Sequence, residues 1–160
     1  MEVRNKVRGL AHDLDVAKIT VVGVPDQPGI ATAIFVPLAA AGISVDTIVQ
    51  NASIEKITDL TFTVAKSQLD SAMKVVAPIA KSIGARECQS DSRLGKVSVI
   101  GTGMQNSPGY AARMFDTLRQ ENINIQLITT SEIRITCIID ETRVKDALRA
   151  LHRAFELEIK

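Results

Sequence analysis

Two stretches of the chain are one segment written twice: Lys18-Ile-Thr-Val-Val-Gly-Val-Pro-Asp-Gln-Pro-Gly-Ile-Ala31 and Lys96-Val-Ser-Val-Ile-Gly-Thr-Gly-Met-Gln-Asn-Ser-Pro-Gly-Tyr-Ala111, with two extra residues in the second loop. The likeness continues through Phe35 and Phe115, Leu38 and Leu118, Gly42-Ile-Ser-Val45 and Asn122-Ile-Asn-Ile125, and Ile48 and Ile128. An internal duplication restricts the 160 residues to two copies of one small domain, each near the lower size limit for independent folding. The strand-to-helix turn that both copies keep is the first place to look for function.

The pattern of each copy gives its element order. Residues 18–24 and 96–101 are strands; a helix runs from Pro28 to about Ala41 and its counterpart from Pro108 to about Glu121. Pro37 predicts a distorted turn within one helix. Strands follow at 43–51, 59–65, 123–130 and 133–139, with helices over 69–83 and 144–155. Pro78 marks a place where the former is expected to break. A fourth strand over 85–90 closes the first copy. The second copy has no closing strand of its own, whereas Val7–His12 is strand-like and unclaimed, so the amino-terminal strand is expected to complete the second sheet. The fold class is α+β: two ferredoxin-like βαββαβ domains, the first (18–92) inserted in the second (7–13 plus 93–160). Helices on one face leave the other face of each sheet uncovered, which predicts a homodimer.

Composition excludes several classes of function. Lys and Arg number 19 against 18 Asp and Glu, and there is no Trp and one Tyr, so neither nucleic acid nor an anionic membrane has an electrostatic or stacking partner here. No apolar run is long enough to span a bilayer and no signal-peptide core opens the chain, so a cytoplasmic location is expected. Cys88 and Cys137 stand alone and read as buried free thiols; His12 and His152 are equally isolated, so no metal site is expected. The glycines around residues 23–29 and 101–109 lack the spacing of a dinucleotide or P-loop, and no nucleophile elbow or metal helix occurs. No catalytic residue and no cofactor are assigned.

The remaining candidates are the turns Asp26-Gln-Pro-Gly-Ile-Ala31 and Asn106-Ser-Pro-Gly-Tyr-Ala111. Main-chain N–H groups at a helix start lack internal partners and hold a carboxylate well, so each turn can form half of an amino-acid site; the alternative is a plain Asx-Pro turn that only starts a helix. Gln50-Asn51 and Thr129-Thr-Ser131-Glu132, at equivalent strand ends, either contribute to such a site or only make turns.

These residues carry a resemblance. The duplicated Pro-Gly helix start and the βαββαβ order resemble ACT domains, small modules that bind amino acids and regulate enzymes. Val-Gly-Val-Pro-Asp-Gln-Pro-Gly, Val-Gln-Asn-Ala-Ser, Thr-Asp-Leu-Thr-Phe-Thr-Val, Gly-Lys-Val-Ser-Val-Ile-Gly-Thr-Gly-Met and Ile-Thr-Thr-Ser-Glu-Ile-Arg-Ile are similar to the carboxy-terminal regulatory half of aspartate kinases. The family's catalytic half, with its Lys-Phe-Gly-Gly-type motif, has no counterpart in this sequence. The resemblance thus implies a non-catalytic regulatory chain, like the β subunit of the α2β2 form, partnered by an aspartate kinase α subunit. A regulatory fragment of a longer kinase and the small subunit of acetolactate synthase are the alternatives. The implied effectors are threonine, with lysine as a second candidate, bound between ACT domains of paired chains. By the same resemblance Asp26, Gly29, Ile30, Ala31 and Gln50 face Asn124, Ile125 and Gln126 of a second domain. A second site pairs Asn106, Gly109, Tyr110 and Ala111 with Ser44, Val45, Asp46 and Thr47, near Ser131 and Glu132. Asn106 replaces an acidic residue and Tyr110 is bulkier than Ile30, which sets this second site apart.

Overall fold

The computed structural model describes residues 7–51, 55–104 and 109–156. Ten main elements follow one another: β1 (Val7–Pro25), α1 (Ile30–Ala40), β2 (Ile48–Gln50), β3 (Ile57–Val64), α2 (Leu69–Ser82), β4 (Glu87–Gly101), α3 (Tyr110–Gln120), β5 (Leu127–Thr130), β6 (Arg134–Asp140) and α4 (Val144–Ala154). Short 3-10 turns, Lys66–Gln68 and Glu141–Arg143, lead into α2 and α4. The chain divides into two compact units, Asp15–Ser92 and Met1–Leu14 with Arg93–Lys160. β1 and β4 are long enough to contribute one part to each unit.

In the unit Asp15–Ser92 the strand order is β2-β3-β1-β4. β3 pairs antiparallel with β1 (Ile19↔Phe62, Val21↔Leu60) and with β2 (Ile48↔Phe62, Gln50↔Leu60). Ile19, Val21, Leu60, Phe62 and Val64 therefore line one face, where they meet Ile34 and Leu38 of α1 and Ala72, Val76 and Ala80 of α2. The i, i+4 spacing of these helical residues gives each helix its buried stripe. Phe35 meets Phe62 edge to face, with ring centroids 5.2 Å apart.

The other unit repeats the plan with β1-β4-β6-β5. Val97↔Cys137 and Val99↔Ile135 set the register. Val97, Val99, Ile135, Cys137 and Ile139 pack on Met114 and Leu118 of α3 and on Ala147, Leu151 and Phe155 of the α4 end. Val7 is buried in this core and Leu10 packs against it, so the amino-terminal strand belongs to this sheet.

Several local expectations are corrected. Segments 7–12 and 18–24 form one strand, as do 85–90 and 96–101. The second strand of each copy shortens to Ile48–Gln50 and Leu127–Thr130, because the residues before it first leave the helix through a turn. α2 passes Pro78 unbroken: Pro78 and Lys74 both lie on the exposed side, where the carbonyl left without its helical donor can meet water. Pro37 likewise sits inside a single helix. On the face away from the helices, Leu94 and Ile138 are 2% and 1% exposed, and the Ser98 and Thr136 hydroxyls are buried and hydrogen-bonded to each other at 2.7 Å. Thr20 and Thr61 repeat that hydroxyl pair at 3.1 Å in the first copy. Strands apolar on both faces, such as Ile135–Ile139, are built for burial on both sides.

Cys137 is buried with its thiol 4.0 Å from the Met114 sulfur, while Cys88, 4.0 Å from the Met73 sulfur, is only half-buried, against expectation. Burial pushes the Cys137 thiol up to about 12 and raises that of Cys88. The thiolate is the reactive form, so an alkylating reagent is expected to label Cys88 slowly and to spare Cys137 until the chain is unfolded. Mass spectrometry of the labelled native chain checks this, and equal labelling of both would contradict it.

Candidate functional site

Each unit starts its first helix behind a glycine in the left-handed region at one end of its sheet. The β1–β3 ladder shifts register between Val21 and Val24, where Gly23 takes φ 70° and its N–H donates to the Asp59 carboxylate at 3.0 Å, and then resumes to Pro25↔Ile57. The chain then turns: Asp26 N–H donates to the Lys56 carbonyl at 2.8 Å and Gln27 N–H to the Pro25 carbonyl at 3.2 Å. Gly29 adopts φ 90°, which an L side chain resists, and serves as the N-cap of α1. The helix therefore begins at Ile30, two residues later than Pro28 suggests. Its ladder opens with Ala33 N–H to Gly29 O at 3.0 Å, and Ile30 N–H reaches the Gln27 carbonyl at 3.4 Å. The N–H groups of Ala31 and Thr32 lie ahead of the ladder at an exposed helix start, where the helix dipole favours an anion.

The helix start recurs in the second copy. Gly109 is the N-cap of α3 with φ 103°, and Arg113 N–H donates to Gly109 O at 2.9 Å. A Cβ on either Gly29 or Gly109 would meet nothing within 4 Å, so backbone conformation, not crowding, calls for glycine at both. Asn106 lies outside the described residues.

The other residues divide by position. Gln50 ends β2 and Pro25 ends β1, and these two strands run the same way beside β3, so Gln50 lies at the Asp26 end of the sheet. Asp26 is half-buried; Gly29, Ala31 and Gln50 are exposed. Ile30 is 6% exposed and packs in the core, leaving its main chain as the part able to meet a ligand. Tyr110, its counterpart, is half-buried: it packs against the second core and stacks on Phe155 with centroids 6.4 Å apart, while Arg113 stands 5.2 Å above the Phe155 ring. Ser131 and Glu132, exposed beyond β5, lie at the Gly109 end; Ser131 N–H donates to Arg134 O at 2.8 Å.

Ser44–Thr47 and Asn124–Gln126 lie at the opposite end, before β2 and β5. Ser44, Asp46, Asn124 and Gln126 are exposed, and Val45 and Ile125 pack partly on their cores. The Thr47 side chain is buried; its N–H donates to Thr63 Oγ1 at 3.1 Å and its carbonyl accepts from Thr63 N–H at 3.0 Å. Asp46 N–H donates to Thr63 O, and Gln126 N–H to Ile138 O at 2.7 Å. A cavity of about 370 Å³ beside Asn124 is lined by Phe115, Arg119, Asn122, Ile123 and Ile125. Within one unit the structure thus brings each Pro-Gly loop to its Gln50 or Ser131 strand end and keeps it apart from the segment before that strand. Sequence reasoning did not single out Asp59, Lys56 or Thr32, whose parts depend on contacts across the turn.

Among the described residues no three His, Cys, Asp or Glu side chains are placed to hold a metal, and no helix is long and apolar enough to cross a membrane.

ACT-domain profiles match residues 18–80 and 97–155. The chain is 48% identical over 152 residues to an aspartate kinase of Pseudomonas fluorescens, covering 95% of this chain and 37% of that enzyme. It thus spans little more than a third of that relative. Among solved structures, the ligand-free regulatory subunit of aspartate kinase from Thermus thermophilus superposes with a TM-score of 0.88 at 40% identity, over 94% of this chain and 99% of that one. A chain from a structure of aspartokinase alpha and beta subunits gives 0.87 at 43% identity, over 94% and 99%. With the duplicated fold and both ACT matches in place, the chain belongs to the aspartate kinase family and consists of tandem ACT domains.

Proposed function

We propose that the chain is a non-catalytic allosteric regulator of aspartate kinase that binds threonine, with lysine as a second effector, and so places the kinase under feedback from amino acids of the aspartate pathway. The observation that carries this reading is the pair of exposed helix starts behind Gly29 and Gly109. In this reading the Ala31 and Thr32 N–H groups hold the ligand carboxylate, while Asp26 and Gln50 bind its ammonium and hydroxyl. Asn124, Ile125 and Gln126 of a second copy close the pocket. The ACT domains are assigned to 18–92 and to 7–13 with 93–160. The second site, Asn106, Gly109, Tyr110 and Ala111 facing Ser44–Thr47 near Ser131 and Glu132, differs in that Tyr110 is already engaged with Phe155. The partners are a second copy of this chain and an aspartate kinase α chain. The same site serves if the catalytic half is continuous with this chain.

A shared site links effector affinity to dimer stability, because each must raise the other. Threonine is thus expected to strengthen a homodimer in sedimentation experiments. Gln50→Ala leaves a ligand polar group without its partner and Ala31→Val crowds the helix start, so each is expected to weaken threonine binding by roughly 1 to 3 kcal/mol and to relieve inhibition of the assembled kinase. Both variants binding and inhibiting like the parent chain, with Tyr110 variants losing the response, would move the site to the second loop.

A further inference from the structure

Both units end their first helix in the same way. Gly42 (φ 75°) and Asn122 (φ 56°) take the left-handed position after the helix; Gly42 N–H donates to Ala39 O and Ile43 N–H to Leu38 O, matched by Asn122 N–H to Arg119 O and Ile123 N–H to Leu118 O. This is a Schellman turn, whose last carbonyls still point outward in need of donors. In each unit the residue immediately before the second helix reaches back to that turn. Gln68 does so with one neutral bond, Nε2 to Gly42 O at 3.4 Å. Arg143, its counterpart, spans two carbonyls, Glu121 O at 2.8 Å and Asn122 O at 3.4 Å, while its Nε is held by the Asp146 carboxylate at 3.2 Å.

The two grips differ in strength. A guanidinium at the negative end of a helix gains from the dipole as well as from hydrogen bonding, and bonds to charged donors exceed neutral ones. The carbonyls that Arg143 holds sit directly ahead of Ile123-Asn124-Ile125, and the next main-chain anchor is Gln126 N–H on Ile138 O. Asn124 and Ile125 thus hang between a charged clamp and the start of β5.

We infer that Arg143 is a positioning residue for the effector response, fixing Asn124–Gln126 in the conformation that closes the amino-acid site. The inference rests on the functional reading above. In the chain alone, Arg143→Ala is expected to speed amide hydrogen exchange over 122–126 about 10-fold and to weaken threonine binding by a similar factor, as loss of a charged clamp on this short segment implies. Arg143→Gln, which copies the first unit, should fall between, and Arg143→Lys, which keeps the cation, should recover most of the affinity. Gln68→Ala should leave threonine affinity within about two-fold of the parent, since it removes one long neutral bond elsewhere. Exchange in Arg143→Ala equal to the parent chain would overturn the inference, as would faster exchange with unchanged threonine affinity. A parent chain that binds neither threonine nor lysine would overturn the functional reading instead, and the exchange measurement, which needs no ligand, would still decide whether Arg143 holds the segment.

Discussion

Phe62→Ala is expected to destabilise the unit Asp15–Ser92 by about 3 to 5 kcal/mol, the usual cost of emptying a fully buried aromatic site. Phe62 is 0% exposed, lies between Ile19 and Ile48 in the ladder, and receives the edge of Phe35 at 5.2 Å. Removing the ring leaves Phe35 without its aromatic partner and opens a void where both helices meet the sheet. A domain of this size has a total stability of only about 5 to 15 kcal/mol, so the loss takes a large share of it. Denaturant unfolding checks the value. A loss below about 1 kcal/mol would mean that the core does not depend on this ring.

Gly95→Ala carries the second large effect. A Cβ at Gly95 would stand 2.5 Å from Val144 Cγ2 and 3.2 Å from the Leu14 side chain. Val144 is 2% exposed at the start of α4, and a β-branched side chain has few rotamers with which to yield. Overpacking of this kind costs about 1 to 3 kcal/mol. Because the severe contact, at 2.5 Å, is with Val144 Cγ2, Val144→Ala should relieve most of it: the double variant is expected to be more stable than the sum of the two single losses by at least about 0.5 kcal/mol. Additive losses would place the strain elsewhere.

How far the fold could be read from the sequence follows from where its signals are local. Ile19, Val21, Leu60, Phe62 and Val64, and their counterparts in the second copy, alternate as strand residues must, and the duplication allowed each copy to check the other. Boundaries failed where a hydrogen bond beyond the pattern decided them. Gly29 in the left-handed region starts α1 after Pro28, and the Schellman turns at Gly42 and Asn122 delay β2 and β5. β1 and β4 read as pairs of strands because Asp13-Leu-Asp15 and Ser90-Asp-Ser-Arg93 interrupt the apolar alternation where each strand passes from one unit to the other. At the candidate site the residue types were legible, since Asp-x-Pro-Gly before a helical stripe has a conformational meaning of its own. Arg143 was not: its bonds to Glu121 and Asn122 cross more than 20 positions, and no spacing rule announces them.

The measurement closest to the central claim is calorimetric titration of the chain with threonine, repeated with lysine. Saturable binding of threonine is expected, weakened in Gln50→Ala and accompanied by a stronger homodimer. Absence of binding by both amino acids, in a chain shown to be folded, would contradict it.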